Sequence, residues 1–210
     1  MKLIDLDIAN FAEQLASKKA TPGGGSAAAL SGLVGISLVQ MVANLTIGRK
    51  KYMEHEELMQ QILADGQAQH NALLAAIDAD AAAYDSVSAA FKLPKETDEE
   101  QTFRAAAVQD ALKQATLVPL IILQHCFESL KLAHSVVSKC NTNAASDLGV
   151  AAITLKAGME GAWYNILINL GSIKDNNFKD DMRNKASDAL DAAAILQMEI
   201  QTFVMSEIDI

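Results

Sequence analysis

From Thr21 to Gly48 the sequence runs 28 residues without a charged side chain, and few folds can house such a segment. Its length would cross a bilayer. It opens, however, on Pro22 and three glycines, and Ser31, Ser37, Gln40 and Asn44 interrupt it. Polar groups in that number are costly in lipid. A helix that is apolar on most sides belongs at the centre of a large bundle. The expectation is therefore an all-α, single-domain bundle of long helices spanning residues 1–210, built around a buried, uncharged central helix and lying outside the membrane. Alanine is abundant, aromatic residues make up 5% of the chain and only three prolines occur, all of which favour helices.

Periodicity supplies the other elements. Ile4, Ile8, Phe11 and Leu15 predict a first helix from about Asp5 to Lys18. Ala20 to Gly25 breaks it, and Ser26 is placed to cap the second helix. Arg49, Lys50 and Lys51 follow that helix, where cations suit the dipole. A long third helix reaches about Lys92, its later half carrying the stripe Leu73, Ile77, Asp80, Tyr84, Val87 and Phe91. Thr97 to Glu100 reads as a capping box. Pro119 predicts a break or kink near Leu117 in the fourth helix. Asn141 to Asn143 reads as a turn, with Asn143 or Ser146 capping a fifth helix to about Leu170. A sixth runs to the end.

A net charge of -9 argues against nucleic acid, which requires a concentrated basic surface. Cys126 and Cys140 form no C-x-x-C pair, and no secretory leader opens the chain, so two reduced thiols in a cytoplasmic protein are expected. His55, His70, His125 and His134 show no metal-ligand spacing, and no nucleophile elbow is present. Neither a metal nor a cofactor is expected, which leaves carboxylates, lysine and tyrosine for acid–base work.

Three features remain for chemistry. Gly23-Gly24-Gly25-Ser26-Ala27-Ala28 matches G-x-G-x-x-A in form, but no strand precedes it as a dinucleotide site requires. It is either a tight turn between packed helices or a loop that lets a ligand approach free N–H groups at a helix start. Asp80, on an apolar stripe, is either structurally paired or a functional acid whose charged form burial disfavours, with Tyr84 one turn away. In the fifth helix Asp147, Ala151, Thr154, Gly158, Gly161 and Asn165 share a face of small residues with polar ends. That face suits close helix packing or a flat ligand. Asn169 adds a second amide one turn past Asn165.

These residues also carry a family likeness. Thr21-Pro22-Gly23-Gly24-Gly25-Ser26, Asn44 to Tyr52, Asp80-x-x-x-Tyr84, Leu93-Pro94-Lys95, Asn141-x-Asn143-x-x-Ser146-Asp147 and Asn165-x-x-x-Asn169 resemble the cyclodeaminase/cyclohydrolase family over nearly the whole chain. Cys140 stands where that family usually has glycine. The resemblance implies an all-helical homodimer with folate sites near the subunit interface and a tetrahydrofolate derivative as substrate. With no formiminotransferase part in the sequence, it implies a stand-alone enzyme.

The resemblance tilts toward hydrolysis of 5,10-methenyltetrahydrofolate to 10-formyltetrahydrofolate. Cyclodeamination of 5-formiminotetrahydrofolate is the runner-up. A non-catalytic helical dimerisation or ligand-binding module and a membrane-associated protein are the alternatives of another kind. Asp147 is the first choice for the proton-shuttling carboxylate and Asp80 the second, with Lys50 at the glutamate tail or the reacting centre. Pro22, Gly23, Gly24, Gly25, Ser26, Gln40, Asn44, Tyr84, Asn141, Asn143, Ser146 and Asn165 are the expected substrate contacts.

Overall fold

The computed structural model describes residues 2–208. Six α-helices carry the fold: α1 (Ile8–Leu15), α2 (Gly24–Thr46), α3 (Glu56–Phe91), α4 (Asp98–Ser135), α5 (Ala145–Leu170) and α6 (Asn176–Ile208). Short 3-10 turns occupy Leu3–Asp5, Lys50–His55 and Thr142–Ala144. No strand occurs among the described residues.

Helix α2 is the axis of the bundle, with α3 and α5 running antiparallel along it. On the α3 side Ser26 meets Ile77 and Ser37 meets His70. On the α5 side Gly24 abuts Asn165, and Ser31 donates to the Thr154 carbonyl. The α2–α5 contact is made by small residues: a Cβ on Gly158 would come 3.0 Å from the Ala28 carbonyl oxygen and 3.1 Å from the Gly32 nitrogen. The small face of α5 is thus consumed, along its middle, by close helix packing. Its neighbouring face, Leu148, Ala152, Leu155, Met159, Ala162 and Ile166, is buried throughout. Helix α4 closes the bundle against α3 and α5. Lys113–Asp175 and His134–Glu199 fasten α6 alongside α4.

Four expectations are corrected in detail. The central helix is not enclosed on every side, because Val34, Met41 and Leu45 are 44%, 42% and 37% exposed. The first helix starts only at Ile8 on an Asp7 cap, which leaves Ile8 exposed and Phe11 as the one residue of α1 in the core. None of Ser26, Asn143 and Ser146 caps a helix. Helix α2 starts at Gly24 with Ser26 inside it, and Asn141 supplies the side-chain cap of the turn before α5 by accepting from the Asn143 N–H at 3.1 Å. Pro119 lies inside an unbroken α4. Proline cannot donate to the carbonyl four residues back, and the Asn169 side chain donates to that Ala115 oxygen instead, at 3.0 Å. The predicted capping box is present, with Thr97 and Glu100 each accepting from the other's backbone N–H.

Candidate active site

The residues singled out by sequence fall into two clusters at opposite ends of α2. The first surrounds its N-terminus. A helix starting at Gly24 leaves the N–H groups of its first turn without helical acceptors, and those of Gly24 and Gly25 find none among the described residues. The third, Ser26 N–H, donates to Asp80 Oδ2 at 2.9 Å. The fully buried Ser26 hydroxyl lies 2.9 Å from the Ile77 carbonyl and 3.2 Å from the same Asp80 oxygen, with one proton to serve both. Burial raises the Asp80 carboxyl above its ordinary range, and the two Ser26 bonds oppose the shift only in part.

The other oxygen, Asp80 Oδ1, accepts no hydrogen bond among the described residues and faces Gly25, where a side chain cannot fit. Asn165 uses its Nδ2 on the Gly161 carbonyl, so its Oδ1 is available beside Gly24. Pro22 is buried beneath the loop, and Tyr84, one turn beyond Asp80, is half exposed. This end of the bundle therefore brings two backbone donors, one carboxyl oxygen and one amide oxygen close together. That set suits a flat ring with both donor and acceptor edges.

The second cluster lies where α2 ends and α5 begins. Asn141, 8% exposed, donates its N–H to Thr46 Oγ1 at 2.9 Å and its Nδ2 to the Leu45 carbonyl at 3.0 Å. Asn143 and Ser146 are exposed on the following turn, and Asp147 is half buried on the first turn of α5 without a partner among the described residues. A carboxylate there is favoured by the helix dipole. Asn44 and Lys50 are exposed at the same end. Gln40, one turn before Asn44, is packed against Gly66 between α2 and α3.

The residue that sequence reasoning passed over is Tyr52. Its phenol oxygen accepts the Thr142 N–H at 3.1 Å and lies 3.4 Å from Thr142 Oγ1; the Thr142 side chain, then its backbone, hold the phenol below the ordinary tyrosine range. Only its position at the end of the Asn44–Tyr52 motif hinted at this, since it follows no periodic stripe.

The two clusters cannot meet within one chain. Asp147 and Asn165 are 18 residues apart on one helix, about 27 Å at the helical rise, and α2 spans about 33 Å between them. None of the histidines hydrogen-bonds a residue of either cluster among the described residues. His70 lies against Ser37, His125 against Gln69, His134 against Glu199 and His55 beside Glu54.

Known proteins resemble this chain along most of its length. A family profile described as formiminotransferase-cyclodeaminase matches residues 7–188. A methenyltetrahydrofolate cyclohydrolase from Methylorubrum extorquens is 42% identical over 96% of this chain and 97% of its own. The formimidoyltransferase-cyclodeaminase of Rattus norvegicus is 35% identical over 91% of this chain, which spans 35% of that longer protein. A solved structure of a formiminotetrahydrofolate cyclodeaminase from Thermotoga maritima superposes with a TM-score of 0.86 at 26% identity, covering 96% of each chain.

Proposed function

Because the chain belongs to the formiminotransferase-cyclodeaminase family, we propose that it is an enzyme of one-carbon metabolism hydrolysing 5,10-methenyltetrahydrofolate to 10-formyltetrahydrofolate, reversibly and in the cytoplasm. The observation that carries this reading is the 42% identity to a methenyltetrahydrofolate cyclohydrolase across nearly the full length of both chains. The transferase-containing relative matches at lower identity and over only part of itself.

The chemistry is addition followed by ring opening. Water adds to the cationic amidinium carbon between N5 and N10 and loses a proton. The bond from that carbon to N5 then breaks as N5 takes up a proton and the carbinol hydroxyl gives up its own, leaving the formyl group on N10 with one proton released overall. A carboxylate beside the cation stabilises it and carries the proton. Asp147 is the first choice for this role, since nothing among the described residues occupies it. Asp80 is committed through Oδ2 to Ser26 and offers Oδ1 to a ring N–H of the pterin. The Gly24 and Gly25 donors face the pterin's carbonyl edge, and Lys50 meets the glutamate tail.

Two clusters some 30 Å apart serve one substrate only if a second copy completes the site. The uncovered seam of α2 supports such a homodimer. Gly24, Ala27, Ser31, Val34, Leu38, Met41 and Leu45 recur at alternating spacings of three and four with no charge among them, the pattern of a helix meeting another helix. Beside it α5 exposes Val150, Ile153, Tyr164 and Ile168. Two copies of α2 packed antiparallel about a two-fold axis set the glycine loop and Asp80 of one subunit facing the Asn141–Asp147 turn of the other.

Cyclodeamination of 5-formiminotetrahydrofolate is the second reading, favoured by the Thermotoga maritima structure. Near-ultraviolet absorbance of methenyltetrahydrofolate decides between them. Accelerated loss of the methenyl band, without ammonia release from the formimino compound, is the expected result. Growth of the band from the formimino compound with ammonia makes it a cyclodeaminase, and no change in either assay leaves a non-catalytic helical module.

A further inference from the structure

The geometry points to Tyr52 as a positioning residue, whose phenol clasps the Lys50-bearing turn onto the Asn141–Asn143 turn and so holds one half of the folate site in its binding shape. The proposal rests on the reading that the turn leading to Asp147 is part of that site.

Two irregular segments meet at this end of the bundle; the second is seated in the core through Ala144, while the first has no core anchor of its own. Lys50–His55 is a 3-10 stretch with no buried residue, interrupted by the non-helical backbone of Tyr52 itself at φ -120° and ψ 17°. Thr142–Ala144 is a single 3-10 turn. Asn141 ties the second segment to α2 through Thr46 Oγ1 and the Leu45 carbonyl. No hydrogen bond other than those at Tyr52 joins the two segments among the described residues. They are the 3.1 Å bond from Thr142 N–H to the phenol and the longer contact with Thr142 Oγ1 at 3.4 Å. Lys51 lies over the Tyr52 ring, 5.2 Å from its centre, so the cationic run and the amide turn share one anchor.

A clasp of this kind acts on the free enzyme. When the competent arrangement is only partly populated, apparent affinity falls by that fraction, while the bound enzyme still turns over normally. Removing the phenol oxygen forfeits about one hydrogen bond's worth of bias, which raises KM by up to about five- to tenfold, with kcat within about twofold. A residue that merely stabilised the fold would lower the melting temperature and leave KM where it was.

The experiment uses the full chain with methenyltetrahydrofolate as substrate. Tyr52→Phe removes the acceptor. Thr142→Pro removes the donor at a position opening a helical turn, where proline fits and the extended Asn141 before it is compatible. Thr142→Ala keeps the N–H and shows what the side chain alone contributes. We expect Tyr52→Phe and Thr142→Pro to raise KM alike, the double variant to be no worse than either, and Thr142→Ala to do less than Thr142→Pro. Hydrogen exchange at the Thr142 amide should accelerate in Tyr52→Phe. Unchanged KM and unchanged exchange in Tyr52→Phe, or effects of the two changes that multiply, would overturn the clasp. If Tyr52→Phe does not fold, Thr142→Pro decides alone. Lys50→Ala and Asp147→Asn test the underlying reading separately. Silence in both removes this turn from the site, whereas damage in both with an inert Tyr52→Phe removes only the clasp.

Discussion

A Cβ on Gly25 would stand 2.0 Å from Oδ1 of Asp80, so the carboxylate occupies the space that any other residue at position 25 would need. Gly25→Ala must drive Asp80 off its bonds to Ser26. We expect turnover to fall on the order of a hundredfold, the scale of a misplaced reacting or binding group, together with a lower melting temperature. Gly24→Ala is the internal contrast. There the nearest atom is Asn165 Nδ2 at 3.3 Å, a side-chain end that can shift, and the loss should be clearly smaller. Steady-state kinetics of the two variants side by side checks this.

Asp80→Asn should separate stability from activity. Burial raises the Asp80 carboxyl above its ordinary range, so the folded protein binds that proton more tightly than the unfolded chain. The stability linked to this group is complete below the unfolded value and is lost as pH rises through the folded one. Removing the charge should therefore raise the melting temperature at pH 8, with the gain shrinking as pH falls toward the carboxylate range, while turnover drops. A variant less stable than the parent at pH 8 would contradict the assignment.

The Asn169 amide stands in for the donor that Pro119 lacks. Asn169→Ala should cost about 1–3 kcal/mol by stranding the buried Ala115 carbonyl. In a Pro119→Ala background, where a backbone N–H returns, the same change should cost markedly less. Urea denaturation of the four proteins measures that coupling. Equal costs in both backgrounds would mean that the amide does something other than complete α4.

Mixing inactive chains tests the shared site. Asp80→Asn and Asp147→Asn protomers, co-expressed in equal amounts, should regain about a quarter of parental activity, because half the dimers are mixed and each of those has one intact site. No recovery would place both carboxylates in sites confined to single chains.

The helices were legible because their apolar faces repeat at helical spacing, and the Thr97 capping box because its residue types are local and specific. Legibility ended where a distant partner decides. Nothing near Pro119 in sequence announces an amide fifty residues later, and Ser26 reads as a cap until Ile77 and Asp80 are seen to engage it. The candidate site was legible as residue types and not as a place. Asp80 and Asp147 looked like rivals for one position, but antiparallel packing sets them at opposite ends of the bundle.

Helix α2 bears the glycine loop at its start and contacts the Asn141 turn at its end, so it acts as a measuring rod whose length cannot drift. Deleting one residue would rotate everything beyond it by about 100° and shorten it by about 1.5 Å, turning the seam away from the proposed partner helix. Removing two full turns' worth, seven residues, would nearly restore the facing surface and still misalign the ends by about 10 Å. In the proposed homodimer, insertions and deletions are thus barred from this segment by geometry alone.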